Sequence, residues 1–442
     1  MKPTRFLPLA VLCVGVVTSA QSSSDRETLA KIRTEGLEHS QVRPMFDHLT
    51  IDIGPRLTAS PAHKRAAEWA RDRLASDGLQ NARLEPWKFG RGWTLEKLTV
   101  EMMEPRYLPL IGYADGWSAS TSGEIVAAPV FIGGKAPEDV AALRAQLRGA
   151  IVMTQPMMTS FVRKDRPQPS DPDYVPMAAA YATLREPQGR PEQGRGTTSA
   201  GRSNTPPQGE TPQQRAQRIT QILRDAGAGV ILKPSTGGHG TVFVTGRDGG
   251  PGAAPSITLS GEHYNMIVRF LQQNIPVKLR VNVQATFYDA DGGNAYNVLA
   301  ELPGTDPALR DEVVMIGGHL DSWHTGVGAT DNADGSTTVM EAMRILMAIG
   351  ARPRRTIRVA LWGGEEQGLL GSKAWVAEHL TGDANAVARE KFDVYYDIRT
   401  HHTNVDTFDR VNIDDIRQAA IVMATFAYQT AVADRKLPRL QK

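Results

Sequence analysis

Cysteine is almost absent from this chain of 442 residues, which contains only one, Cys13. That residue lies in the N-terminal stretch, so a chain that loses this stretch can form no disulfide bond. A protein of this length needs none, because its hydrophobic core is large enough to hold the fold. Beyond the N-terminus there is also no apolar run long enough to span a membrane.

An excess of one charge sign is missing as well. The chain has 50 Lys and Arg residues against 48 Asp and Glu residues, which gives a formal net charge of +2. Proteins that bind nucleic acid or anionic membranes usually carry a strongly basic surface. The composition therefore indicates neither kind of partner.

Residues 1–20 have the pattern of a secretory signal peptide. Lys2 and Arg5 form a positive segment, residues 6–17 are apolar, and residues 18–20 are small, as at a cleavage site. We therefore expect a secreted protein, extracellular or periplasmic, with no membrane attachment after cleavage. Removing Lys2 and Arg5 from the 50 basic residues leaves 48, equal to the 48 acidic residues, so the mature chain is neutral.

Residues 312–370 predict a strand, a helix and a second strand. The apolar run 313–316 has the length and β-branching of a buried strand. Apolar residues then recur at helical spacing over 339–346, and Gly350 ends that helix. A second strand follows, with apolar residues of 357–361 on one face.

Polar side chains that can bind metal follow both of these strands. They are His319, Asp321, Asp331, Asp334, Glu365 and Glu366. In open α/β sheets, ligands bind at the edge where the strands end. Each residue alone is explained by an ordinary surface or core position, but imidazole and carboxylate groups brought to one edge suit zinc. The combination predicts a metal site.

Three ordered motifs carry a resemblance to a known family. HLDSW begins at His319, TDNADG begins at Thr330, and GGEEQGLLGS begins at Gly363. They resemble the zinc-dependent exopeptidases of the M28 family, with a whole-chain pattern closer to its carboxypeptidase Q branch. The resemblance implies an α/β, three-layer, phosphorylase/hydrolase-like zinc exopeptidase fold with a mixed, mostly parallel sheet. It also implies two zinc ions per chain and a peptide substrate, cleaved at either terminus.

The resemblance also implies a role for individual residues. His319 would bind the first zinc ion, Asp331 would bridge both ions, and Glu366 and His402 would bind the second. The neighbouring His401 competes with His402 from spacing alone.

Two further residues have implied roles beside the metals. Glu365 would be the general base that takes a proton from the attacking water, and Asp321 would fix the orientation of the His319 imidazole. His324 and Asp334 lie near the motifs but match no ligand position.

The resemblance covers residues 21–115 and 291–442 as the catalytic domain. Between them, residues 116–290 alternate strands and helices in a way that resembles the protease-associated (PA) domain, a β-rich insert of many M28 members. A separate binding module is the alternative interpretation of this segment. Within it, residues 185–215 are rich in Gly, Gln, Pro, Arg, Ser and Thr and predict a disordered loop.

The chain departs from the family pattern before His402. The family has one more ligand, an aspartate of the first zinc site, followed by a segment of about a hundred residues that is almost entirely lacking around residues 396–399. Either Asp397 takes the ligand's role, or the ligand is missing and the first zinc ion keeps only His319 and Asp331. Five extended residues reach at most about 18 Å, so the first alternative is cramped.

This departure leaves other functions open. One is an inactive or metal-poor homologue that binds peptides or is defective, and another is a glutaminyl cyclase-like enzyme on the same fold. A purely adhesive secreted module would leave the ordered carboxylates and histidines without a reason. Manganese or cobalt could occupy the same ligands. The sequence predicts no oligomeric state and does not determine which peptide terminus is cleaved.

Overall fold

The computed structural model describes residues 23–162, 210–380 and 400–437. The helices are α1 (Ser23–Glu38), α2 (Val42–Asp47), α3 (Pro61–Ser76), α4 (Pro137–Ala142), α5 (Arg144–Leu147), α6 (Pro212–Ala226), α7 (Gly261–Gln272), α8 (Asp334–Ala348), α9 (Leu370–His379) and α10 (Ile413–Val432). The strands are β1 (Gln80–Lys88), β2 (Gly92–Glu104), β3 (Leu108–Pro109), β4 (Gly112–Ala114), β5 (Ile125–Ala127), β6 (Val130–Phe131), β7 (Ile151–Met153), β8 (Val230–Pro234), β9 (Ser256–Leu259), β10 (Lys278–Tyr288), β11 (Asn294–Leu302), β12 (Val313–His319) and β13 (Thr356–Trp362). Among these described helices, none combines the length and the apolar character needed to cross a membrane.

A mixed four-stranded sheet carries the predicted site, in the order β1-β11-β13-β12. The unit β12–α8–β13 is a parallel crossover, as the sequence predicted. The expectation of a mostly parallel sheet is wrong for the described residues, because β11 runs antiparallel to both β1 and β13. The chain enters β11 from β10 through the short turn Ala290–Gly293, so no helical crossover sets the direction of this strand.

The two strands of the crossover differ in burial. In β13, Ile357, Val359 and Leu361 are fully buried, as predicted. In β12, only Ile316 is buried, and Val313 is 42% exposed, so the prediction of a buried strand is wrong. The reason is that no described strand pairs with the outer edge of β12.

Helices α1, α2, α3, α8 and α10 pack with this sheet into one hydrophobic core. Helix α3 begins with Pro61 after the N-cap Ser60, and its buried apolar face consists of Ala66, Ala67, Ala70 and Leu74. Helix α8 ends before Gly350, which has a φ of +66° that favours glycine. The predicted end of this helix at Gly350 is confirmed.

A second core belongs to the segment between β1 and β11. It contains the antiparallel sheet β3-β2-β10-β5 and the mixed sheet β4-β9-β8-β7-β6, in which only the β4–β9 pair is antiparallel. The apolar residues of these sheets form a cluster that includes Trp93, Tyr264 and Trp323. We call this segment, residues 92–290, the insert. The predicted limits of 116 and 290, and the PA-like assignment, stay predictions.

The predicted disordered loop of residues 185–215 ends earlier than expected, because residues 212–215 are helical. Helix α6 begins at Pro212, and Thr211 caps it in a capping box with Gln214. The Thr211 hydroxyl oxygen accepts a hydrogen bond from Gln214 N–H, and the Gln214 side-chain oxygen accepts one from Thr211 N–H. This reciprocal pair favours a helix start. The rest of that loop, residues 185–209, and the predicted signal peptide of residues 1–20 lie outside the described residues.

Candidate metal centre

The ends of β12 and β13 place polar side chains at one edge of the sheet. The two strands are parallel neighbours, and His319 at the end of β12 pairs with Trp362 at the end of β13. Gly363 follows directly, and a Cβ atom there would lie 2.6 Å from the Tyr296 carbonyl oxygen. Gly364 has a φ of +69°, which turns the chain after the strand. Glycine at both positions therefore lets the following Glu365-Glu366 pair reach the end of β12.

Glu365 and Glu366 point in different directions. The Glu366 side chain is 1% exposed and its Oε2 lies 2.7 Å from His402 Nε2. The Glu365 side chain is 37% exposed and its Oε2 lies 3.9 Å from His319 Nε2. One carboxylate thus lies among the candidate ligands, while the other faces open space beside them.

Asp321 holds this glutamate pair in place from the end of β12. Its fully buried carboxylate accepts hydrogen bonds from the backbone N–H groups of Glu365 and Glu366, at 3.2 and 3.3 Å, and from the Thr58 hydroxyl at 2.8 Å. His319 Nδ1 lies 2.9 Å from the Asp321 carbonyl oxygen and 3.6 Å from its carboxylate. Asp321 therefore contacts the imidazole on the side away from the other candidate ligands.

Asp331 lies at the middle of the group. It follows β12 in the turn Ala329–Ala333, where its backbone is not helical, and it is buried. Its Oδ1 lies 3.1 Å from His319 Nε2, and its Oδ2 lies 3.5 Å from His401 Nε2 and 3.6 Å from His402 Nε2. The two oxygens of one carboxylate thus face different histidines.

The loop 400–407 brings both histidines to Asp331. Three contacts with the insert hold this loop: Val244 N–H donates to the His402 carbonyl at 2.9 Å, Phe243 and Thr403 form an antiparallel bridge, and Val242 N–H donates to Asn404 Oδ1 at 2.8 Å. The Trp323 ring also packs edge-on against the His402 ring, with the centroids 5.8 Å apart. The position of the loop therefore depends on the insert.

Asp406 is a residue of the site that the sequence interpretation missed. Its Oδ1 accepts from Thr330 N–H at 2.7 Å and from the Thr330 hydroxyl at 2.9 Å, and its Oδ2 accepts from Asp331 N–H at 3.2 Å. It also lines a small cavity with Trp323, Gly326, Gly328, Asp331, Glu366, His402 and Thr403. Its only sequence signal is a carboxylate four residues after His402, which does not show that it faces the TDNADG loop.

Arg56 is a second missed residue. It is fully buried and donates to the backbone carbonyls of Leu49, Gly54, Leu320, Val327 and Gly328. Burial lowers the pKa of Arg56 to about 10, against the opposing influence of Asp406. Arg56 joins the loop after β12 to the loop before Asp331.

Other candidates lie away from the ligands. His324 Nε2 lies 2.8 Å from the Ala114 carbonyl oxygen of the insert. Asp334 is buried at the start of α8 and accepts from Gly335 N–H at 2.5 Å. Asp397 and the predicted shortening near residues 396–399 lie outside the described residues.

The pKa values of the site reflect crowded charges. Burial lowers the pKa of His319, but hydrogen bonds to Asp321 and Asp331 outweigh burial and raise it well above its usual value. Burial raises the pKa of Asp331, and the hydrogen bond and charge of His319 outweigh burial and lower it to about 2. Burial raises the pKa of Glu365, and it raises that of Glu366 well above the usual value with added repulsion from Asp331.

These residues fit a metal ion by their donor atoms. His319, Asp331 and Glu366 offer ligand atoms within 4.8 Å of one another, and so do Asp331, His401 and His402. Within the described part of the chain, Asp331 Oδ2 and both carboxylate oxygens of Glu366 are buried without a hydrogen-bond donor, since the short Glu366–His402 approach lacks hydrogen-bond geometry. Buried polar atoms normally have a partner, and a cation would supply one.

Comparisons with known proteins show which proteins this chain is similar to. The peptidase family M28 model matches residues 297–394. Carboxypeptidase Q of Bos taurus is 27% identical over 339 residues, which are 76% of this chain and 61% of that protein. Leupeptin-inactivating enzyme 1 of Streptomyces exfoliatus is 40% identical over 89 residues, 20% of each chain. The chain therefore spans about three fifths of the length of the carboxypeptidase Q relative.

Solved structures share the fold. A peptidase M28 precursor from Shewanella amazonensis superposes with a TM-score of 0.62 at 22% identity, over 95% of this chain and 99% of that chain. An aminopeptidase from Aneurinibacillus superposes with a TM-score of 0.54 at 16% identity, over 95% of this chain and 98% of that chain. The match to peptidase family M28 thus contains the strand-end motifs, and the solved structures show the fold of the chain.

Proposed function

We propose that this chain is a metal-dependent exopeptidase that removes residues from a peptide terminus with two zinc ions and a glutamate base. The observation that carries the proposal is the convergence of His319, Asp331, Glu366 and His402, with Glu365 on the open side of the group. Names of relatives and of structural neighbours, carboxypeptidase Q and zinc aminopeptidase, support the substrate class and the metal.

The chain's own residues would hold the metals. His319, Asp331 and Glu366 supply one imidazole and two carboxylates, and His402 supplies a second imidazole. When bound, two zinc ions polarise the scissile carbonyl group and lower the pKa of water. Asp331 suits a position between the ions, because its two oxygens face different histidines.

Glu365 has the position of the general base. Its side chain is partly exposed, whereas that of Glu366 is enclosed. Of these two glutamates, only Glu365 is therefore accessible to water and substrate. Burial raises the pKa of Glu365. A carboxylate of raised pKa takes the proton of the attacking water and gives it to the leaving amine more readily. Asp321 fixes the backbone of Glu365 and thereby directs its side chain.

Two parts of the proposal concern the rest of the chain. The insert is proposed to be PA-like and to border the mouth of the site, which its contacts with loop 400–407 support. Secretion is proposed from the signal-like residues 1–20. No specific observation favours the cyclase alternative.

The test is peptidase activity of the zinc-loaded chain with a matched pair of variants. We expect Glu365→Gln to keep its zinc, measured by elemental analysis after dialysis, and to lose roughly 10²- to 10⁴-fold in turnover. Glu378→Gln, at an exposed position of α9, should keep both zinc and turnover. Peptides with a free or blocked amino or carboxyl terminus identify the terminus that is cleaved.

Two results would overturn the proposal. One is a zinc-loaded wild-type chain that releases no terminal residue from any of these peptides. The other is release of ammonia, without release of a residue, from a peptide that begins with glutamine, since this product defines a cyclase. An active Glu365→Gln variant would remove Glu365 from the role of base and leave the exopeptidase class standing.

A further inference from the structure

We propose that His401 is a metal ligand in this chain, and that it binds the same ion as His402 and one oxygen of Asp331. This assignment rests on the proposed two-metal function and adds a ligand to it. The centre would then have three imidazoles, those of His319, His401 and His402. The family pattern has two, with an aspartate in the remaining position.

The first support is the geometry around Asp331. His401 Nε2 and His402 Nε2 lie at nearly the same distance from Asp331 Oδ2, 3.5 and 3.6 Å. The other oxygen of Asp331 faces His319. Asp331 Oδ2 is buried and has no hydrogen-bond donor in the part of the chain that the structure describes. Two imidazole nitrogens and an orphaned carboxylate oxygen thus face the same small space.

The second support is the backbone conformation of His402. Adjacent side chains in extended backbone point to opposite sides, so two neighbouring histidines rarely share a ligand. Here His402 has a φ of +58°, a left-handed conformation that is uncommon for a residue other than glycine. The two rings consequently lie side by side, with centroids 3.7 Å apart. Strained conformations of this kind persist at functional sites when the surroundings impose them.

The surroundings of the turn impose this conformation from the insert. The His402 carbonyl accepts a hydrogen bond from Val244 N–H, and Thr403 forms a bridge with Phe243. These contacts fix the backbone on the C-terminal side of the histidine pair. The backbone therefore directs both rings towards Asp331.

The third support is the number of ligands per ion. Catalytic zinc sites usually have three protein ligands and one open position. Within the described residues, ligand atoms fall into two sets of three that share Asp331, one with His319 and Glu366 and one with His401 and His402. The family assignment, with Glu366 and His402 on the second ion, leaves the first ion with only His319 and Asp331 from the described residues. Placing Glu366 with His319, and His401 with His402, gives each ion three protein ligands.

The main test counts imidazoles in the wild-type protein, so it does not depend on a variant that folds. X-ray absorption of the full chain loaded with zinc resolves the scattering of imidazole rings around the metal. We expect three imidazoles for two zinc ions. Two imidazoles for two ions, or fewer than two bound ions, would overturn the assignment of His401.

Variants give an independent readout by elemental analysis and cobalt titration. We expect His401→Ala and His402→Ala each to weaken one ion by more than the roughly 10- to 100-fold that loss of a supporting residue costs. His39→Ala, at a largely exposed position after α1, should bind both ions as the wild type does. Unchanged binding of both ions by a folded His401→Ala variant would overturn the assignment.

The outcome for the proposed function is separate. A chain that binds two ions through three imidazoles but releases no terminal residue contradicts the exopeptidase and supports His401 as a ligand. A chain that is an active exopeptidase, and whose two ions have only two imidazoles, contradicts His401 alone.

Discussion

The candidate metal centre has two halves that the chain builds in different ways. The sheet half comprises His319, Asp321, Glu365 and Glu366, which follow the adjacent parallel strands β12 and β13. The loop half comprises His401, His402, Asn404 and Asp406, which lie in loop 400–407 and are held by the insert and by the Asp331 turn. One half is positioned by strand pairing, and the other by contacts between distant segments.

The difference shows which contacts each half needs. In the sheet half, the hydrogen bond between Asp321 and Glu365 joins residues 44 positions apart, within one strand–helix–strand unit. In the loop half, the hydrogen bond between Val242 and Asn404 joins residues 162 positions apart. Substitutions in the sheet half should therefore change the stability of the core and the affinity for one ion. Substitutions in the insert should change only the affinity of the loop half for its ion.

The largest expected effect comes from Asp331, the residue that both halves share. Asp331→Asn removes the carboxylate that faces His319 with one oxygen and His401 and His402 with the other. We expect both ions to weaken by well beyond the roughly 10- to 100-fold typical of a supporting residue, with loss of activity. Elemental analysis after dialysis measures this. Retention of one ion at wild-type affinity would show that Asp331 serves only one half.

The next effect concerns His63, whose ring lies beside Gly363, the residue that follows β13. It is fully buried, neither ring nitrogen has a hydrogen-bond partner among the described residues, and burial lowers its pKa to about 4. An unfolded histidine has a pKa of about 6.5, so between pH 6.5 and 4 the unfolded chain binds a proton that the folded chain does not. The contribution of His63 to the free energy of unfolding is therefore fully present above about pH 6.5, and it is lost as the pH falls to about 4.

A comparison with His63→Leu isolates this contribution. We expect the free energy of unfolding of the metal-free wild type, relative to the variant, to fall by about 3 kcal/mol between pH 7.5 and 4. Denaturant unfolding at both pH values measures the difference, and other titrating groups cancel because both chains share them. A constant difference across this range would mean that water reaches the His63 ring.

Much of the sheet half could be predicted from the sequence because its signals are local. The apolar runs, the helix spacing and the glycines after β13 lie within one stretch, and parallel strand ends meet at one edge. The exposed edge of β12 could not be predicted, because burial of a strand depends on its neighbours. The antiparallel direction of β11 was missed for the same reason, since it depends on the chain's path through the insert.

The loop half could be predicted only in part. The His-His pair stood out by residue type, but spacing could not decide between His401 and His402, because the left-handed turn at His402 has no signal of its own. Arg56 was missed because its partners are backbone carbonyls, and Asp406 because two of its three hydrogen bonds come from backbone N–H groups. A backbone carbonyl or N–H has the same appearance at every position of a sequence, so no motif identifies it.

A third effect tests how the halves are joined. Asp406 accepts hydrogen bonds from Thr330 and Asp331. We expect Asp406→Asn to weaken metal binding by roughly 10- to 100-fold, as outer partners of ligands do. The exposed Asp409→Asn should have no effect. Metal titration of both variants decides this, and wild-type affinity in Asp406→Asn would mean that the Asp331 turn keeps its shape without the carboxylate.

The smallest expected effect concerns the contact between the insert and the loop half. Asn404→Ala removes the oxygen that accepts from Val242 N–H, which should cost about 0.5–1.5 kcal/mol of stability. Because this contact supports loop 400–407 and not the sheet half, we expect the binding of one ion to weaken and the other ion to keep its affinity. Asn404→Asp keeps an acceptor oxygen and should restore binding of the weakened ion. Equal weakening of both ions in Asn404→Ala, seen by cobalt titration, would mean that the insert supports the whole centre and that the two halves are not separate.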